Sequence, residues 1–319
     1  MSELDPAGFR ADLDAKPRVL RALADAIDDD GLHWPVDRAP ERVLLTGMGS
    51  SWFAAQSAAL RLRRAGVAAV AELSSADTSW PAAPGLLVVG ISASGGSAET
   101  LDFVAAHPGY VALTNVPGSR ITEGASSVVP MLAEPEAGGV ACRSFQHTLV
   151  ALLALEEQLT GGPLGLADRV RRTADATEAL LTDTTWLDRT VELLDGPHGV
   201  YAIAPADRIS SALQGALMVR EGPRRPADGC ETGDWSHVDV YLTKTLAYRA
   251  LLFSGSRHDP AAREWLASRG STVVAVGGGA PGDAGAVRFA GDDDPVVALL
   301  TEIVVPELVA ARWWAAQSA

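Results

Sequence analysis

Three stretches of the chain carry residue types whose spacing could do chemistry. Gly47-x-Gly49-Ser50-Ser51 follows the apolar run Arg42–Thr46, Gly90-Ile91-Ser92-Ala93-Ser94-Gly95-x-Ser97 follows Leu86–Val89, and Glu221 precedes His237 across a polar segment. A dinucleotide-binding turn would need a third glycine where Trp52 stands. The second stretch has the order of a nucleophile elbow, with Ser92 and His237 as members of a hydrolase triad, but it ends in Ser94 where that motif has glycine. A third reading takes both turns together. Two strand ends of one parallel sheet, each with glycines and hydroxyls at a helix start, make a phosphate pocket in which backbone N–H groups and helix dipoles face the anion. Ser51, Ser92, Ser94 and Ser97 would then donate hydroxyls, although any one of them alone reads equally as a cap or turn residue.

His237 lies near Trp235, Asp234 and Asp239 and could form an acid/base pair with Glu221. Of the other histidines, His33, His107, His198 and His258 sit in loop-like contexts, and His147 falls within a helical pattern. With no His-Glu-x-x-His, Cys-x-x-Cys or His-x-His spacing, no metal site is expected and no cofactor is implied.

The elements that must position these residues alternate. After helical spacing over residues 8–28, interrupted by Pro17 and stopped by the polar turn Asp28–Gly31, the short apolar runs Arg42–Thr46, Val67–Leu73, Leu86–Ile91, Tyr110–Thr114 and Ser127–Leu132 read as strands. Trp52–Arg64, Glu99–Ala106 and Ala141–Leu159 read as helices. Near-continuous apolar strands alternating with helices predict an α/β fold with a mainly parallel sheet covered on both faces.

Thr160–Gly165 is small and Gly/Pro-rich, and it divides the chain into 1–160 and 166–319. The second part restarts with a helical stretch Leu166–Leu194, strand Gly199–Ala204, helix Ser210–Arg220, an irregular segment Gly222–Asp239 and apolar Leu246–Phe253. Helix Pro260–Arg269, strand Thr272–Val276, the surface loop Gly277–Gly282 and a final helix Pro295–Ala316 follow. The order of elements in the two parts is similar, as an internal duplication would leave it.

The chain has 319 residues and a formal charge of −14, an acidity that repels phosphodiester backbones and anionic lipid surfaces. Nucleic acid and membrane are therefore not expected as partners. The N-terminal stretch lacks an apolar signal region and no run of about 18 apolar residues occurs, which points to the cytoplasm. Cys142 and Cys230 are too few for a disulfide framework. Of the 26 basic residues only Lys16 and Lys244 are lysine, and the other 24 are arginine.

Taken in order, these motifs resemble the double sugar-isomerase-domain (SIS) family, and specifically the isomerase half of glucosamine-fructose-6-phosphate aminotransferase and its stand-alone phosphosugar isomerase and deglycase relatives. The resemblance rests on Asp12-Leu13-x-x-Lys16-Pro17-x-x-Leu20, Gly49-Ser50-Ser51, Ser92-x-Ser94-Gly95-x-Ser97, Thr114–Ser119, Gly139-Val140-Ala141, and Gly215-Ala216-Leu217 ahead of Glu221, with His237 beyond it. It implies two SIS-type α/β/α sandwich subdomains, the first binding a phosphosugar and the second carrying acid/base residues and dimer contacts. It also implies that Gly49, Ser50, Ser51, Ser92, Ser94, Gly95 and Ser97 hold the sugar phosphate, that Val140 contacts the sugar and that Glu221 moves the proton between C1 and C2. His237, supplied by the partner subunit of a homodimer, would assist ring opening.

Departures from the family pattern bear on the reaction. The match begins near residue 9 without a glutamine-hydrolysing domain, Met218 stands where the family's aminotransferase has a lysine before the glutamate, and no lysine follows Lys244. Gly222-Pro223-Arg224-Arg225-Pro226 replaces a more apolar stretch, His237 lacks the usual following Gly-Pro, and the turn after Ala204 lacks Gly-x-Gly. The expectation is therefore aldose-ketose isomerisation of a sugar phosphate through an enediol, without imine chemistry. A deaminase or deglycase acting on an amino-sugar or ketosamine phosphate, with Arg224 and Arg225 holding a second anionic group, is one alternative. A phosphosugar sensor without catalysis is another.

Overall fold

The computed structural model describes residues 4–29, 31–36 and 39–318; Asp30 of the expected Asp28–Gly31 turn lies outside the described residues. The chain forms two compact units. One holds residues up to Arg18, Ala137–Val140 and Arg172 onward, and the other holds Val19–Glu136 and Ala141–Arg171. The units divide inside a helix, at Arg171, a few residues beyond the Thr160–Gly165 linker, and the chain's first residues group with its second half.

The unit containing Val19–Glu136 is built on strands β1 (Arg42–Gly47), β2 (Ala69–Leu73), β3 (Leu86–Ile91), β4 (Val111–Thr114) and β5 (Ser127–Pro130). They pair in the order β2-β1-β3-β4-β5, and every pairing is parallel. All of β4 and the last five residues of β1 are buried, as strands covered on both faces must be. Helices α2 (Ser50–Arg64), α3 (Ala98–Ala105) and α4 (Arg143–Thr160) belong to this unit, while α1 (Pro6–Asp28) and α5 (Leu166–Thr182) contribute residues to both. α1 is one continuous helix despite Pro17. Arg61 of α2 pairs with Glu156 of α4 at 2.7 Å, and Trp34 donates from Nε1 to Ala151 O at 2.8 Å.

The other unit repeats the plan with β6 (Val200–Ala204), β7 (Ala227–Glu231), β8 (Arg249–Phe253), β9 (Thr272–Val276) and β10 (Gly285–Val287), again all parallel. Their order, β7-β6-β8-β9-β10, is that of the first sheet strand for strand. Its helices are α6 (Thr185–Leu194), α7 (Ile209–Glu221), α8 (Thr232–Trp235), α9 (Asp259–Ser268), α10 (Pro295–Thr301) and α11 (Val304–Ser318).

Four sequence expectations are corrected here. Leu166–Leu194 is two helices, because Asp183 Oδ1 accepts from Thr185 N and Oγ1 and so starts α6 afresh. Pro295–Ala316 is also two; Pro306 has no N–H to give the carbonyl of Glu302, and α10 ends there. The segment Gly222–Asp239 contains β7 and α8, whose Ala-Asp-Gly-Cys-Glu strand has no apolar pattern because it lies at the edge of its sheet. Beyond Gly277–Gly282, the short edge strand β10 extends the same sheet.

Two buried ion pairs organise this second unit. Lys16 Nζ lies 2.8 Å from Glu307 of α11, and both side chains are 0% exposed. Beside Lys16 on α1, Asp12 accepts from the backbone N–H groups of Ala137 and Gly138 at 3.1 and 2.8 Å. The Asp12/Lys16 motif is thus a fastener between α1, the 137–140 segment and α11. Arg208 pairs with Glu302, and burial raises the Glu302 carboxyl to about 7 even against the Arg208 charge.

Two outcomes follow. Lys16→Met removes the ammonium that faces the fully buried Glu307, which is expected to cost about 3–5 kcal/mol in urea unfolding, and the double change with Glu307→Leu should recover most of it. In the folded chain Glu302 keeps a proton that the unfolded chain has already released. The stability this protonation lends is full at low pH and is lost as pH rises through about 7. Thermal midpoints should therefore fall between about pH 5 and pH 8, and by less in Glu302→Gln than in the parent.

Candidate functional site

In the first sheet β1 leads to β2 on one side and β3 leads to β4 on the other. The gap between the carboxyl ends of β1 and β3 is therefore a topological switch point, where open α/β sheets bind ligands. A cleft of about 250 Å³ opens there. Ser50 and Ser51 line it from the start of α2, and Ser92, Ser94 and Ser97 line it from the turn between β3 and α3. Five serines predicted from sequence are thus brought together. Gly49 and Gly95 shape the two turns beside them.

Both glycines are required by backbone geometry. Gly49, immediately before α2, has φ 51°, and Gly95 has φ 66°, a left-handed conformation costly to other residues. A Cβ at Gly95 would also stand 1.8 Å from Ser119 Oγ. The turn is held by Ser92 N donating to Leu113 O at 3.0 Å, Gly95 N donating to Ser92 O at 3.0 Å and Ile121 N donating to Gly95 O at 3.0 Å. With α2 and α3 both starting at the cleft, their first-turn amides and dipoles favour a negative group.

The hydroxyls already form a local network. Ser97 Oγ donates to Glu99 at 3.1 Å and accepts from Thr100 Oγ1 at 3.2 Å. An anion in the cleft would compete with Glu99 for the Ser97 proton. On the α4 side, Glu136 accepts from the N–H groups of Cys142, Arg143 and Ser144 and from Ser144 Oγ, so a carboxylate already occupies that helix start.

Sequence reasoning missed three hydroxyl residues of the lining, Thr100, Ser144 and Thr148. Thr100 follows Ser97 by one helical turn and could have been found from that spacing. Ser144 and Thr148 lie in the helix Arg143–Thr160, among Arg143, Gln146 and His147, with no motif to mark them. Val140, expected to touch the sugar, is buried and is not among the lining residues.

Glu221 is the last residue of α7 and is half-buried. His237 is exposed just after α8, with its backbone N–H on Asp234 O at 2.8 Å. Arg225 lies 4.2 Å over the Trp313 ring and pairs with Asp195, so it is engaged inside its own unit, while Arg224 is exposed at φ 53°. Burial, followed by the charges of Asp239, Asp234 and Asp228, pushes the Cys230 thiol up to about 12, which removes it as a nucleophile. Among the described residues no group of three or more His, Cys, Asp or Glu side chains is placed to hold a metal, and no helix is long and apolar enough to cross a membrane.

The equivalent switch point of the second sheet, between the ends of β6 and β8, is differently filled. Arg208 enters it, pairing with Glu302 and donating to Ser254 O at the end of β8. A guanidinium of the chain itself takes the place that hydroxyls and open space take in the first sheet.

Comparison with known proteins agrees with this geometry. Residues 38–157 match the SIS domain family model, which covers the whole serine-lined cleft. Glutamine–fructose-6-phosphate aminotransferase (isomerizing) of Methanosarcina mazei is 29% identical over 170 residues, half of this chain and 28% of that protein. The matched stretch of the chain thus spans well under half the length of this relative. Among solved structures, the C-terminal domain of glucosamine-fructose-6-phosphate aminotransferase from Francisella tularensis superposes with TM-score 0.78 at 17% identity, covering 95% of each chain. Tagatose-6-phosphate ketose/aldose isomerase from Escherichia coli superposes with TM-score 0.77 at 17% identity, covering 96% of this chain and 92% of that one. At such identity the likeness is one of fold, and it extends over both units.

Two kinds of substitution test the cleft by titration with inorganic phosphate. Ser92→Ala and Ser94→Ala each remove one donor to a charged group and should weaken binding roughly tenfold, about 1.5 kcal/mol. Gly95→Ala, which must displace the whole turn, should abolish measurable binding. Unchanged affinity in all three would place the anion elsewhere.

Proposed function

We propose that the chain is a phosphosugar isomerase, active as a cytoplasmic homodimer, that interconverts an aldose and a ketose phosphate through an enediol. The observation that supports this most directly is the cleft at the β1/β3 switch point, with six serines and two helix starts in a SIS domain. In this reading Ser51, Ser92, Ser94 and Ser97 fix the phosphate, and the rest of the substrate is oriented by its attachment to that anchor.

Glu221 is the proposed base. Its carboxylate takes the proton from C2 of the open-chain aldose while the C1 carbonyl oxygen is protonated, giving the enediol. The same carboxyl then returns a proton to C1 as the C2 hydroxyl loses its own, leaving the ketone at C2. His237, contributed by the second copy, is the proposed acid for ring opening. Positioned groups of this kind contribute about 10²–10⁴-fold each.

The lysines support proton transfer over imine chemistry. Lys16 is sealed in its pair with Glu307, and Lys244 is exposed, its ammonium 5.2 Å from the Tyr241 ring. Met218 stands where the resembling aminotransferase has a lysine ahead of the glutamate.

Incubation in D₂O with fructose 6-phosphate or glucosamine 6-phosphate, read by NMR, should put deuterium at C1 or C2. Glu221→Gln should lower the rate by about 10²–10⁴-fold and leave phosphate affinity intact. Binding without exchange across a panel of sugar phosphates would make the chain a sensor. Release of ammonia or of an amino acid in the same tubes would instead make it a deaminase or deglycase.

A further inference from the structure

A second cavity in the structure is larger than the serine-lined cleft. It measures about 560 Å³ and lies in the same unit, between the β2–β3 connection and the outer side of α3. Glu99, Asp102, Phe103 and Ala106 contribute its helical wall at the i, i+3, i+4, i+7 spacing of one helix face, and Trp80 and Ser79 contribute the facing wall. His107 fastens the two walls together. It is 5% exposed, its Nδ1 lies 3.0 Å from Phe103 O, its Nε2 lies 2.9 Å from Trp80 O, and its ring stacks on Phe103 at 5.0 Å.

The lining has a definite chemistry. Asp77, Glu99 and Asp102 bring three carboxylates, no lysine or arginine lines the space, and Trp80 and Phe103 supply aromatic surface. Ser79 Oγ is buried there with no hydrogen-bond partner. A phosphate or carboxylate would be repelled from this cavity. A primary ammonium with a flat apolar body would instead meet counter-ions, aromatic faces and an unused hydroxyl together.

We propose that this cavity is a binding site for a small organic cation, with Glu99 and Asp102 holding the ammonium and Trp80 its apolar part. The inference rests on this cavity alone and does not require the isomerase reading. Ser97 and Thr100 line the serine cleft while Glu99 and Asp102 line this cavity, and the Ser97–Glu99 hydrogen bond links the two.

Calorimetric titration of the full chain with benzylammonium chloride tests it, with benzyl alcohol and benzoate as controls. Saturable binding of the cation is expected, at least tenfold tighter than either control. Glu99→Gln with Asp102→Asn should weaken it at least tenfold, and so should Trp80→Leu. Ser92→Ala, which lies in the other cleft, should leave it unchanged. No saturable binding, equal binding of benzyl alcohol, or indifference to the two carboxylate changes would overturn the proposal. Loss of phosphate binding in Ser92→Ala beside intact benzylammonium binding keeps the two sites' fates separate.

Discussion

Everything at the candidate site depends on a constraint of parallel sheets. Two adjacent strands whose onward connections leave in opposite directions cannot close the space between their carboxyl ends, and β1 and β3 are such a pair. Helix starts then face that space with amides that have no partner inside their own helices. Water, a ligand or the protein itself must meet them. The short side chains of Ser50, Ser51, Ser92, Ser94 and Ser97 leave the space open and add hydroxyls that can turn toward an anion.

The second sheet obeys the same constraint and resolves it in the opposite way. β6 and β8 diverge as β1 and β3 do, but Arg208 fills the gap and is held by Glu302 and the Ser254 carbonyl. One topology has thus produced a receptive gap and a self-satisfied one. The difference lies in the residues after the strands: Gly49-Ser50-Ser51 in one sheet, Ala206-Asp207-Arg208 in the other. An overall charge of −14 also means that any anionic ligand is captured by local donors against the field of the whole chain.

Much of this was legible in the sequence where burial imposes a pattern. Leu86–Ile91 and Thr272–Val276 were bounded to the residue because strands covered on both faces are apolar throughout. The edge strands β7 and β10 escaped, since an edge needs no apolar run. The two helix breaks were hidden for a different reason: Asp183 and Pro306 act through single hydrogen bonds, one gained and one lost, inside otherwise unbroken periodicity. The serines were visible as motif residues, yet the helix α4 contribution of Ser144 and Thr148 was not, because folding brings them in from a distant part of the chain. Lys16 was visible as part of a motif without any sign of its work, which depends on Glu307, 291 positions away in the chain.

The seclusion of Lys16 has a practical side. An amine-reactive reagent needs an accessible nitrogen, and Lys16, fully buried against Glu307, offers none while its helix stays docked on α11. Lys244, exposed on the turn after Tyr241, is then the one lysine side chain that such a reagent can reach in the folded protein. Fluorophores, cross-linkers or surfaces coupled through lysine would all attach at that single address, and a second lysine adduct would report that the folded unit had come open.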